Sequence, residues 1–99
     1  MNNLNITGYE WFDKANGNSY FSADIQADGE LVGKLPMQYG YGDHYIDMAN
    51  QWLHVRGFID NPTHEKGSRE ALWRYCEENN IDLYTQKVEN CLKRDLYKG

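Results

Sequence analysis

The sequence predicts an α+β domain: a three-stranded antiparallel β-meander, then two amphipathic helices packed mainly on one face, then a C-terminal strand. Three observations predict it. Asn16-Gly17 and Asp28-Gly29 punctuate the first forty residues between runs that read as strands. From Asp43 onward the apolar positions recur with helical spacing. At Ile81 and Leu83 they alternate again. At 99 residues the chain has room for one core, so 1–99 is read as a single domain.

The first hairpin is read from "ANGNS". A two-residue turn at Asn16-Gly17 pairs Ala15 with Asn18 and Phe12 with Phe21, with Gly17 at positive φ. Ile6, Phe12, Phe21, Ala23 and Ile25 then share one face. Tyr9, Trp11, Asp13, Tyr20, Ser22 and Asp24 share the other. The second turn, "QADGEL", allows two loops. A three-residue Ala27-Asp28-Gly29 loop gathers Leu31 and Leu35 with Phe21, Ala23 and Ile25, whereas a two-residue Asp28-Gly29 turn sets them on the opposite face. The three-residue loop is preferred because it collects the aliphatic side chains. Pro36 cannot donate to a ladder, so the third strand is expected at an edge or near its end there.

"DHYIDMANQWLHVRG" is the first helix. Tyr45, Ile46, Met48, Ala49, Trp52, Leu53 and Val55 fall on one arc, and Asp43, His44, Asp47, Asn50, Gln51 and His54 on the other. Asp43 is the expected side-chain N-cap and Gly57 the stop. Ser68 caps the second helix, "REALWRYCEENN", whose apolar arc is Ala71, Leu72, Trp73, Tyr75 and Cys76. The tail carries two signals. Ile81 and Leu83 alternate as a strand does, whereas Tyr84, Val88, Cys91, Leu92 and Leu96 fit a helix. A strand from about 81 is expected because a meander often takes a fourth strand; a third helix is the alternative.

Composition limits the function classes. The net charge of −5 disfavours a general nucleic-acid binder, whose affinity rests on neutralised phosphates. It equally disfavours attachment to anionic membranes. No apolar run approaches the ~20 residues needed to span a bilayer, and "MNNLNITGYEW" has no signal-peptide pattern, so a cytoplasmic location is expected. Cys76 and Cys91 form no CxxC pattern and are read as free thiols.

The stretch "QYGYGDHYIDMANQWL" raises the question of a phosphate cradle, because glycines there lead into a helix N-terminus. The pattern is only Gly40-x-Gly42, and Asp43 puts an anion where the phosphate would sit. The two glycines are better read as a sharp turn, with Tyr39, Tyr41 and Tyr45 as an aromatic collar. His44 and Asp47 could reach one metal ion, but His54 lies ~10 Å further along the axis. No catalytic residues, metal ligands or cofactor are assigned.

"YGYGDHY" ahead of an amphipathic helix, with "NNIDL" and "ENCLKRDL" later, resembles small proteins encoded by tailed bacteriophages. The likeness spans most of the chain. It implies no catalytic residues. It implies a setting, an infected host cell, in which proteins of this size block or redirect host machinery, host defence included, by binding a protein. The expected function is therefore a non-enzymatic modulator or inhibitor of a host protein. The partner-binding residues are expected to be Tyr9, Trp11 and Tyr20, aromatics bordered by Asp13 and Asp24 on the second face of the meander, with Tyr41 of the collar as a second candidate. The alternative is a small nucleic-acid-binding accessory protein using Lys87, Lys93, Arg94 and Lys98, with Tyr84 or Tyr97 for stacking. A homo-oligomeric structural protein is the third reading.

Overall fold

The computed structural model describes residues 1–59 and 69–98. In chain order the elements are β1 (Asn3–Asp13), β2 (Asn18–Ala27), β3 (Glu30–Tyr39), α1 (His44–Val55), α2 (Arg69–Glu78), β4 (Asp82–Val88) and α3 (Lys93–Lys98). The four strands form one mixed sheet in the order β3-β2-β1-β4. β1, β2 and β3 are the antiparallel meander, and β4 joins β1 in parallel. The tail is the expected strand, from Asp82 to Val88; of the residues with helical spacing only Leu96 lies in a helix, the short α3, while Tyr84 and Val88 belong to β4 and Cys91 and Leu92 to the connection.

The two faces of the first hairpin are as expected, but the register is not. Phe12 pairs with Ser19 and Glu10 with Phe21, a shift of two residues. The loop is four residues long because Asp13 builds it. Its carboxylate accepts from Ala15 N at 3.1 Å and Asn16 Nδ2 at 2.8 Å, and its carbonyl accepts from Gly17 N at 2.7 Å. Gly17 has φ +69°, yet Asn16 keeps an ordinary φ, so the turn is not type I′. A shift of two leaves every side chain on its own face, which is why the face assignment survived it.

The second turn corrects the preferred loop. Ala27 pairs with Glu30, leaving Asp28 (φ +53°) and Gly29 (φ +84°) as a two-residue turn with both central residues left-handed. Leu31 is consequently exposed rather than in the core. A bulge at Val32 then reverses the parity, so Val32 packs on the core and Leu35, opposite Ala23, is buried. A second shift beside Pro36 and Met37 returns Tyr39 to the face of Tyr20. β3 is an edge strand, as Pro36 requires.

α1 and α2 cover the face of Leu4, Ile6, Phe21, Ala23 and Ile25. Tyr45, Ile46, Ala49 and Leu53 of α1, with Leu72 and Cys76 of α2, complete the core. Each large aliphatic side chain removed from water there contributes about 1.5–3 kcal/mol before entropy is counted. Two positions lie opposite to expectation. Val55 is 79% exposed, and Asn50 is fully buried. In α2, Trp73 is exposed rather than part of the buried arc. Ser68, the expected cap, lies outside the described residues.

Asp43 does occupy the N-cap position, where its carbonyl accepts from Ile46 N, but its side chain makes no capping hydrogen bond. Its φ and ψ of −92° and 10° differ from the extended geometry that turns a capping side chain back onto the helix. The other end of α1 follows the sequence closely. Gly57 N donates to His54 and Phe58 N to Leu53, and Gly57 sits at φ +81°. α2 ends the same way with Asn80 in glycine's place, at φ +56°, so that Ile81 N reaches Cys76 O at 2.8 Å and the chain turns directly into β4.

Candidate functional site

The second face of the sheet carries the candidate aromatic residues. Strict alternation along β1 and β2 puts Tyr9, Trp11 and Tyr20 there, and the bulges of β3 add Tyr39. Trp11 and Tyr20 are directly opposite and stack, with ring centroids 5.5 Å apart and planes 26° apart. Tyr20 meets Tyr39 edge-on at 5.9 Å and 80°. The three rings form a continuous strip across β1, β2 and β3 at one end of the sheet. Trp11 and Tyr20 are half-buried, and Tyr39 is 60% exposed.

This face is not open throughout. α3 lies across the strands of the meander, Leu96 is buried although it is no part of the helix-covered core, and Lys93 Nζ stands 5.6 Å from the Trp11 ring centroid. Ser22, on the same face, is fully buried. It is thus the tail that folds over the centre of this face, whereas α2 packs on the other.

Tyr9 is drawn into that covered centre. It is half-buried, and its hydroxyl donates to Asp24 Oδ2 at 3.3 Å. Burial first, and the neighbouring Asp24 carboxylate second, hold the Tyr9 phenol above its ordinary value, so it stays protonated and keeps donating. Tyr9 thereby ties β1 to β2. Tyr41 stands in the turn between β3 and α1, 70% exposed and two residues beyond Tyr39. In the sequence Tyr39 reads only as part of the collar at that turn. Its place in the strip depends on two bulges, which leave no periodic trace in the sequence.

The basic residues of the tail do not share one surface. Lys87 lies 3.6 Å from Glu10 and 3.5 Å from Glu89, Lys93 sits over Trp11, Arg94 is exposed, and the side chain of Lys98 lies outside the described residues. In the Gly40-Gly42 turn, Gly40 N donates to Ser19 O and so extends the β2–β3 ladder. His44 meets the Phe21 ring edge-on at 5.6 Å. Among the described residues no three His, Cys, Asp or Glu side chains converge as a metal site would require, and no helix is long and apolar enough to cross a membrane. Comparison with protein-family models, with curated proteins and with solved structures finds no match.

Proposed function

We propose that this chain is a non-enzymatic binding protein that engages a folded protein through the strip of Trp11, Tyr20 and Tyr39, with Tyr41 at its margin. The observation that supports this reading is the strip itself: three aromatic rings in series, Tyr20 touching both Trp11 and Tyr39, on the sheet face away from the main core, with Tyr39 largely in solvent. Aromatic side chains held rigid by one another bring large contact area at small entropic cost, and such residues dominate binding energy when a partner covers them. The resemblance to phage-encoded proteins makes the partner a host protein, a component of a host defence system being one case. The net charge of −5 favours a basic partner surface and a salt-sensitive association rate.

The test is affinity capture from host lysate, followed by affinity measurement with the purified partner. Trp11→Ala combined with Tyr20→Ala, in protein shown by circular dichroism to be folded, should weaken binding by roughly 30-fold or more, the equivalent of ~2 kcal/mol. Unchanged affinity would remove this face from consideration.

A further inference from the structure

The two edges of the sheet are built differently. The β3 edge is interrupted by Pro36 and by two register shifts, devices that discourage a further strand from adding there. β4 has none of these. It pairs with β1 without a shift from Asn3↔Asp82 to Tyr9↔Val88, and no described strand pairs with its outer side. The middle of β4, Leu83-Tyr84-Thr85-Gln86, is uncharged, and Tyr84 is largely exposed.

A groove of about 440 Å³ runs beside this edge, between β4 and α2. Trp73, Glu77, Asp82 and Leu83 are among its walls, and a smaller hollow between Trp73, Leu83 and Thr85 continues it. Trp73 is 56% exposed, and both Glu77 and Asp82 are exposed. An aromatic ring with two carboxylates suits a cation carried on an extended chain.

We propose that β4 pairs antiparallel with β4 of a second copy of this chain, about a two-fold axis at Thr85, and that Lys87 of each copy enters the Trp73–Glu77–Asp82 groove of the other. The register follows from symmetry. Residues opposite one another in an antiparallel pair point to the same face, so a two-fold pair must be centred on a residue. Thr85 is the centre of Asp82–Val88, and centring there uses the whole strand. Leu83 of one copy then faces Lys87 of the other on the groove side, Tyr84 faces Gln86 on the opposite side, and Thr85 faces itself. The acidic end of each strand meets the basic end of its mate, whereas parallel pairing would set like charges together. Lys87 now contacts Glu10 at 3.6 Å, Glu89 at 3.5 Å and the Gly42 carbonyl at 3.5 Å, all long contacts that the pairing would exchange for the Glu77 and Asp82 carboxylates of the other copy. This pairing is independent of the aromatic strip, which lies on the other face of the meander.

Sedimentation equilibrium of the full chain, from low micromolar to millimolar concentration, tests the pairing. The wild type should shift from monomer to dimer. Glu77→Lys with Asp82→Lys, at two exposed positions, should remain monomeric while folded by circular dichroism, and adding Lys87→Glu to that variant should restore the dimer. A wild type that stays monomeric at every concentration overturns the proposal. So does a Glu77→Lys, Asp82→Lys variant that dimerises as the wild type does, or a folded triple variant that fails to recover.

Discussion

Trp11 and Tyr20 stack face to face across β1 and β2, and Lys93 of α3 reaches over the same indole. The short third helix is therefore tied to the aromatic strip through a cation–π contact, and its Leu96 is buried. Lys93→Ala is expected to cost about 0.5–1 kcal/mol in denaturant melts and to move the Trp11 indole N–H resonance in NMR spectra. An unmoved resonance would show that Lys93 does not sit against the indole.

Asp28 joins the chain's beginning to the second turn. Its Oδ1 accepts from Asn2 N at 2.6 Å and Asn3 N at 3.1 Å. These two backbone hydrogen bonds hold its carboxyl below the ordinary aspartate value of 3.8. A depressed folded-state pKa contributes stability that is complete above pH 3.8 and is lost as pH falls through the lower folded-state value. Asp28→Asn keeps a residue tolerant of the left-handed turn but removes the charge. Its stability should depend less on pH than the wild type's across that acid range. Identical acid transitions would exclude the clamp.

Gly8 lies against the buried ring of Tyr45, and Gly33 against Trp52. A Cβ at position 8 would sit 2.7 Å from the Tyr45 ring, and one at position 33 would collide with the Trp52 indole. Neither glycine has a positive φ, so the demand is for space alone. Trp52 is only half-buried, whereas Tyr45 is enclosed. Gly8→Ala should cost roughly 1–3 kcal/mol in urea unfolding, and Gly33→Ala less. The reverse order would mean that Tyr45 yields more readily than its burial suggests.

Cys76 and Cys91 should differ sharply in reactivity. Burial pushes the Cys76 thiol up to about 11, and the side chain is closed within the core. Cys91 is also raised, chiefly by burial, but it is only half-buried. Iodoacetamide at neutral pH should label Cys91 in the native protein, and Cys76 only at the rate of unfolding. Comparable labelling of both in native buffer would argue against the docking of α2.

Signals confined to a few adjacent residues were legible. Gly57 ends α1, Pro36 marks an edge, and the alternation along β1 and β2 sorts Ile6, Phe21, Ala23 and Ile25 from Tyr9, Trp11 and Tyr20. Alternation of side chains is a local property of extended backbone, so it holds whatever the strand pairs with. Register does not have that independence. Asn16-Gly17 suggested a two-residue turn, but Asp13 hydrogen-bonds the loop into a longer one. Asp28-Gly29 does form the short turn, and Leu35 is nonetheless buried because Val32 bulges.

By itself, then, the sequence determined an α+β chain whose first strands have one aliphatic and one aromatic face, followed by amphipathic helices, the first with a recognisable stop at Gly57. The tertiary structure alone decided that β4 lies parallel beside β1, that Tyr39 joins Trp11 and Tyr20, and that α3 covers Tyr9 and Ser22 but leaves Tyr39 in solvent. The physical reason is range. Propensity, alternation and helix stops act within a turn or two of chain. Bulges, edge pairing and the landing place of a six-residue helix depend on contacts between residues far apart in sequence, and their energies are set by what the whole fold brings together.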